Sequence, residues 1–190
     1  MTRRSLIEWL ARIAGGVCAG IVVVPGMRYV LDPWRRSSDA EQRGFKRVAR
    51  LEALTIGAPR QFSVRDVHRD AWTLYPEETV GRVWLVRRTE SAGSPEQSCV
   101  DAFSIVCPHL GCAIQMDSEV KRFVCPCHKG AFLKTGEKVE AQELGHKNPS
   151  PRGMDKLECR VAQDEATQEW WVEVRYQKFR LGLTSQTAVA

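Results

Sequence analysis

The chain has 190 residues, of which 43% are hydrophobic and 27% charged, and its formal net charge is +5. This length suits one moderate domain with a tail or an anchor, and the composition excludes both a disordered chain and a protein with many membrane spans. No run of lysine and arginine is interleaved with aromatic residues, so we expect a solvated basic surface and no nucleic-acid partner.

The first segment, residues 1–8, contains the adjacent pair Arg3-Arg4 followed by apolar residues. This order resembles the twin-arginine export signal, through which a prefolded protein crosses a membrane with its cofactor already in place. An arginine pair near the start of a chain is common in membrane proteins. The pair is stronger evidence for an export signal if the rest of the chain carries a cofactor that must be inserted before export.

Residues 9–31 form a predicted transmembrane anchor. The uncharged stretch 13–27 would span only about 22 Å as a helix, whereas 9–31 is long enough for a hydrocarbon core of about 30 Å. The alternative is a cleaved signal peptide ending near Val17-Cys18-Ala19, but the apolar run before that site is too short. We therefore expect an uncleaved single-pass protein of the cell membrane. The twin-arginine interpretation places its amino terminus in the cytoplasm and its main domain on the periplasmic, outer face.

Residues 32–50 are rich in arginine, serine and acidic residues and poor in apolar ones, which is typical of a tether between an anchor and a domain. The part from Asp39 to Arg50 is also compatible with a short helix. The main domain is then expected to cover residues 51–190.

The body of the chain is predicted to be mostly strand. Apolar and β-branched runs lie at 62–64, 83–86, 103–106 and 170–174, and turn-forming residues separate them. No long helical periodicity follows residue 50. A small antiparallel β-sandwich or barrel is the architecture that fits this pattern, with the tryptophans expected in packing positions.

Four of the seven cysteines fall within twenty-one positions, in two short loops. The loops are Cys107-Pro108-His109-Leu110-Gly111-Cys112 and Cys125-Pro126-Cys127-His128-Lys129-Gly130. Each supplies a cysteine, a histidine two or three positions later and a second cysteine, and proline and glycine stiffen the turns. This cluster indicates a metal site. Zinc is one alternative, but neither loop has the C-x₂-C spacing that zinc sites usually show.

The motif C-P-H-L-G-C followed by C-P-C-H resembles the Rieske iron–sulfur proteins of cytochrome bc and bf complexes. The resemblance implies a 2Fe–2S cluster with Cys107 and Cys125 on one iron and His109 and His128 on the other. It also implies a disulfide between Cys112 and Cys127. It extends more loosely over about residues 50–182, and it implies a Rieske-type antiparallel β-sandwich or barrel whose cluster-binding part is about 104–150. The proline-containing stretch 148–152 matches a loop that lies near the cluster in the family.

The same resemblance implies a function. Neutral imidazole replaces anionic thiolate on one iron, so the cluster accepts an electron readily, and a histidine ligand of an oxidised iron can lose a proton. Quinol oxidation needs this combination. We therefore expect the iron–sulfur subunit of a quinol–cytochrome c reductase, an enzyme complex with a cytochrome b-type membrane subunit and a c-type cytochrome as partners. His128 and His109 would face the quinol, with His128 favoured.

The second and fourth positions after His128 bear on the reduction potential. High-potential members of the family commonly have a serine and a tyrosine whose hydroxyl groups donate hydrogen bonds to cluster or cysteine sulfurs. This chain has Gly130 and Phe132 there, and neither side chain has a donor. The sequence therefore predicts a lower potential, which favours menaquinol over ubiquinol as the electron donor, although the positive charge of Lys129 acts in the opposite direction.

Two other functions stay open on the sequence alone. One is the small Rieske subunit of a periplasmic molybdoenzyme of the arsenite oxidase type, and the other is a structural metal-binding module without a redox role. The pairing of Cys99 with Cys159 in a second disulfide is also open, since buried thiols are the alternative.

Overall fold

The computed structural model describes residues 3–35, 44–70, 73–88, 95 and 99–189. The chain divides into two units, Met1–Ala40 and Glu41–Ala190. The first unit contains one long helix, and the second contains all of the strands in the described part of the chain.

Helix α1 runs from Arg3 to Arg35. Its 33 residues correspond to a length of about 50 Å. The part Arg3–Leu31 is long and apolar enough to cross a membrane, and none of it is buried within the protein. The predicted anchor, 9–31, lies inside this helix, and the Arg3-Arg4 pair forms its first two residues.

The second unit is built on a six-stranded antiparallel sheet with the order β1-β9-β8-β4-β3-β2. Its strands are β1 (Lys46–Arg50), β2 (Arg60–Asp70), β3 (Thr73–Arg87), β4 (Val100–Ser104), β8 (Lys156–Gln163) and β9 (Trp170–Arg175). A single turn of 3₁₀ helix, Leu51–Ala53, follows β1.

The sheet curls until its two edge strands, β1 and β2, approach each other. Lys46 Nζ of β1 lies 2.6 Å from Asp66 Oδ1 of β2, and this ion pair joins the two edges. Fully buried valine and leucine side chains fill the interior, among them Val64, Leu85 and Val172. The prediction of a mainly β fold, an antiparallel sandwich or barrel preceded in the chain by one helix, is confirmed, and the sheet forms a nearly closed barrel.

The domain begins earlier than the sequence suggested. Residues 46–50 form strand β1, which pairs with β9, and Ala49 is buried in the barrel core. The predicted tether, 32–50, is therefore too long at its carboxyl end, and the alternative of a helix over 39–50 is wrong for residues 46–50. Residues 36–43 of that segment lie outside the described residues.

A separate inserted segment, residues 105–155, lies between β4 and β8. It contains a three-stranded antiparallel sheet in the order β5 (Gln115–Asp117), β6 (Arg122–Cys125) and β7 (Gly130–Phe132), and a one-turn helix α2 (Ala141–Leu144). The backbone N–H of Ser104 donates to the carbonyl of Asp155 at 2.8 Å, which closes the segment where it joins the barrel.

Candidate metal centre

The first predicted loop is a tight turn that follows β4. The backbone N–H of Cys107 donates to the carbonyl of Cys112, and that of Gly111 donates to the carbonyl of Cys107, both at 2.9 Å. Gly111 has a φ of +84°, a left-handed conformation that glycine adopts without strain. The turn buries Cys107, which is 1% exposed, and leaves His109 half-buried.

The second predicted loop is the turn of the β6–β7 hairpin. Cys125 ends β6 and pairs with Gly130 at the start of β7, so Pro126 to Lys129 form the connection. Lys129 has a φ of +57°, which is unfavourable for a residue with a side chain. Cys125 is 2% exposed, whereas His128 is exposed.

The two turns bring the predicted ligands together. The rings of His109 and His128 lie edge to face, with their centroids 4.9 Å apart and an interplanar angle of 83°. The thiols of Cys107 and Cys125 are hydrogen-bonding neighbours within the apolar core of the inserted segment. The arrangement therefore combines two buried sulfurs with two neighbouring imidazoles, of which that of His109 is half-buried and that of His128 is exposed.

A disulfide ties the two turns together. It joins Cys112 to Cys127, the pair that the family resemblance implied, with their Cα atoms 6.6 Å apart. The Sγ atoms of these two residues and of Cys125 lie within 4.8 Å of one another. Because two of the three sulfurs are bonded to each other, only Cys125 of this group can offer a thiolate to a metal.

The other two cysteines of the second unit are not part of the site. Cys99 and Cys159 both lie in described segments, and no disulfide joins them. The thiol of Cys159 donates to the carbonyl of Val100 at 3.0 Å. Burial raises the pKa of this thiol to about 11, so it is a protonated, half-buried side chain.

The residues present fit a cationic cluster. Burial raises the pKa of the Cys107 thiol to about 11, although the backbone N–H groups of His109 and Leu110 act in the opposite direction. Such a thiol becomes a thiolate only beside a strong positive charge, which a metal supplies. Nδ1 of His109 is buried and has no hydrogen-bond partner among the described residues. A metal ion would give that nitrogen the partner that buried polar atoms require.

The proline-containing stretch 148–152 holds strand β7, which follows the second turn. The buried side-chain amide of Asn148 donates to the carbonyls of Ala131, at 2.7 Å, and Val139, at 3.0 Å. Its Oδ1 accepts the backbone N–H of Ser150 at 3.1 Å. The sequence located this stretch but not the role of Asn148, which has no signal beyond an asparagine that precedes proline.

Aromatic side chains form the floor of the site. Trp84 Nε1 donates to the carbonyl of Ile114 at 3.1 Å, and its ring centroid lies 5.2 Å from that of Phe123. Phe132 and Phe103 complete this buried group. Trp84 was expected only as a packing residue, and the structure places it in the same buried cluster as Cys107 and Cys125. Trp72 lies outside the described residues.

Comparisons with known proteins identify the family of the domain. A family model for the Rieske 2Fe–2S domain matches residues 48–151, a range that contains both turns. The menaquinol:cytochrome c reductase iron-sulfur subunit of Bacillus subtilis (strain 168) is 28% identical over 142 residues, which cover 73% of this chain and 77% of the relative. The subunit of the same name from Geobacillus thermodenitrificans is 29% identical over 165 residues, 85% of this chain and 86% of the relative. A solved structure described as a hyperthermophilic respiratory Complex III covers 84% of this chain and 98% of its own, with a TM-score of 0.42 and 16% identity.

Proposed function

The chain belongs to the family of Rieske 2Fe–2S domains, and we propose that it is the iron–sulfur subunit of a menaquinol–cytochrome c reductase. Its cofactor is the 2Fe–2S cluster of that family. The observation that carries the proposal is the pairing of two buried cysteines with two neighbouring imidazoles that reach the surface. The names of the two relatives support the choice of complex and of quinol.

The ligands that we propose are Cys107 and Cys125 for one iron and His109 and His128 for the other. Three features support this set: the burial of both thiols, the proximity of the two rings and the unpartnered Nδ1 of His109. The disulfide removes Cys112 and Cys127 from the possible ligands. Zinc has no redox chemistry, so a zinc site with the same ligands could not accept an electron.

Each group of residues at the site has a proposed role in electron transfer from quinol. When bound, a Rieske cluster accepts one electron, and its imidazole ligands raise its potential above that of all-thiolate clusters. The exposed imidazole of His128 is the proposed hydrogen-bond partner of the quinol hydroxyl, with His109 half-buried beside it. The buried cysteines and the aromatic floor exclude water from the opposite side.

The proposed partners follow from the same assignment. A cytochrome b-type membrane subunit would form the quinol site with His128 and His109, and a c-type haem would receive the electron. Helix α1, which is long and apolar enough to span a membrane, supports a single-pass anchor beside such a subunit. We propose that its amino terminus is cytoplasmic and that the cluster domain lies on the outer face.

The ligand set is tested by four single alanine variants of the full-length protein, at Cys107, His109, Cys125 and His128. Each should lose the paramagnetic resonance signal of the reduced cluster, because three ligands leave one iron incompletely coordinated. His146→Ala is the matched control, since His146 is exposed and its Nε2 lies 3.3 Å from the carbonyl of Lys129, beside the second turn. A full signal in any ligand variant would remove that residue from the set.

The choice of complex is tested by purification from membranes. The protein should co-purify with b-type and c-type haem, and the complex should reduce cytochrome c with menaquinol. Molybdenum in place of haem would identify a molybdoenzyme subunit instead. A colourless protein that contains zinc and no iron would establish a structural module.

A further inference from the structure

The chain continues after β9 into a carboxyl-terminal hairpin, residues 178–189. The N–H of Arg180 donates to the carbonyl of Thr187, and the N–H of Val189 donates to the carbonyl of Lys178, both at 2.8 Å. Phe179 anchors the base of the hairpin by packing against the barrel core. The sequence assigns no role to this segment.

The hairpin touches the first ligand turn at two points. The backbone N–H of Gly182 donates to the carbonyl of Pro108 at 2.8 Å. Pro108 lies between the proposed ligands Cys107 and His109. A methyl group placed on Gly111 would lie 3.0 Å from Leu181 Cδ1, so the leucine side chain packs tightly against the far end of the same turn.

Arg152 fastens the hairpin to the inserted segment. Its guanidinium forms two hydrogen bonds with the carboxylate of Asp155, at 2.7 and 2.8 Å, and the two side chains are only 8% and 2% exposed. The same guanidinium donates to the backbone carbonyls of Arg180, at 2.9 Å, and of Leu183. These two carbonyls flank Gly182, so Arg152 fixes the part of the hairpin that holds Pro108.

We propose that the carboxyl-terminal hairpin positions the first ligand turn, with Arg152 as the residue that holds the hairpin in place. The hairpin limits the opening of the Cys107–Cys112 turn and thereby keeps His109 in one orientation. Arg152 acts through Gly182 and Pro108 and contacts neither proposed cysteine ligand, so its role is one of positioning. The second turn is held by the β6–β7 pairing and by Asn148. This inference rests on the proposed ligand set.

The main test is a shortened protein that keeps the native amino terminus and stops after Phe179, so that the packing of Phe179 in the barrel is retained. We expect it to assemble the cluster but to lose it faster than the wild-type protein during incubation with an iron chelator. Hydrogen exchange at the amides of the first turn should accelerate at least about five-fold, the equivalent of one hydrogen bond of average strength. Exchange at the amides of the second turn should stay at the wild-type rate.

Point variants keep the test informative if the shortened protein does not fold. Gly182 has a φ of +73° and open space where a side chain would begin, so Gly182→Ala strains the hairpin without a clash. Gly57 has a φ of +70° and the same open space, but its N–H donates to Arg87 and its carbonyl accepts from Lys134. Neither residue belongs to the first turn or the hairpin, so Gly57→Ala is the matched control. Arg152→Lys keeps a cation beside Asp155 but lacks the fork that reaches both carbonyls.

A positioning role also predicts a spectroscopic effect. In Gly182→Ala and Arg152→Lys, the paramagnetic resonance lines of the reduced cluster should broaden, because His109 then occupies several orientations. The proposal would be overturned if both variants kept the wild-type rate of amide exchange and the wild-type line width. It would also be overturned if amide exchange accelerated equally in the two turns, or if Gly57→Ala produced the same changes. A wild-type protein without iron would contradict the proposed function instead, and the exchange of the first turn would still test the hairpin.

Discussion

Replacing Gly130 with serine places a hydroxyl group beside the proposed ligand Cys125. Gly130 is buried, and a Cβ atom there would lie 3.6 Å from Asn148 Oδ1, 3.7 Å from Cys125 Cβ and 3.9 Å from Phe132 Cε2. These are ordinary contact distances, so the serine fits without movement of the backbone. The new hydroxyl can donate to the sulfur of Cys125 or to Asn148 Oδ1.

The size of the effect follows from the strength of such a bond. A hydrogen bond to a charged acceptor is worth about 1.5–3 kcal/mol, and a one-electron couple shifts by about 59 mV for each tenfold change in its equilibrium constant. If the whole bond formed only on reduction, the potential would rise by about 60–130 mV. The thiolate accepts the bond in both oxidation states, and Asn148 competes for the hydroxyl hydrogen. We therefore expect the potential to rise by less than this upper estimate, by about 30–60 mV.

The assay is a redox titration of the purified protein followed by paramagnetic resonance. Gly130→Ala is the control, since it adds the same Cβ atom without the hydroxyl. Serine should give a higher potential than alanine, and the wild-type protein should lie below the relatives that carry serine and tyrosine. Equal potentials for the two variants would refute the hydrogen-bond argument, and a wild-type potential at the level of those relatives would remove the basis for menaquinol. Adding Phe132→Tyr should raise the potential further.

Three further predictions concern the disulfide, the domain boundary and export. Cys112→Ser should shorten the lifetime of the cluster, because a cross-link that closes a loop of this size stabilises a fold by about 3 kcal/mol. The rate at which the visible absorbance bleaches measures the lifetime, and a wild-type rate would contradict the prediction. A fragment that begins at Glu41 should be soluble and keep its cluster, whereas one that begins at Leu51 lacks β1 and should not fold, as circular dichroism would show. If both fragments folded equally well, the domain would begin at Leu51, as the sequence predicted. Changing Arg3 and Arg4 together to lysine should leave the protein in the cytoplasm, and normal export of this variant would exclude the twin-arginine hypothesis.

The ligand turns could be predicted from the sequence because each is a short local motif. Cysteine, proline, histidine and glycine at fixed spacing define both the chemistry and the sharp bend of the backbone. The barrel could be predicted only in outline, since apolar runs such as 83–86 indicate strands but not their partners. The structure extends that run to β3, Thr73–Arg87, most of whose early residues are exposed.

Strand β1 could not be predicted because its sequence is mostly charged. Within Lys46–Arg50 only Ala49 is buried, and the strand forms by pairing with β9, whose first residue is Trp170. Local propensity therefore favours a linker, and the distant partner decides otherwise. The contact of Arg152 with the carboxyl-terminal hairpin was missed for the same reason, since no local pattern connects residue 152 with Arg180 or Leu183.

The inserted segment leaves the barrel and returns to it at a single place. Phe103 and Lys156 are direct partners across β4 and β8, and Ser104 is hydrogen-bonded to Asp155. The strand order of the barrel therefore involves no strand of the inserted segment. A chimaera that exchanges residues 105–155 with those of a relative has to match this junction, the hydrogen bond from Lys134 to the carbonyl of Gly57, and the faces that Trp84 and the carboxyl-terminal hairpin present to the exchanged segment.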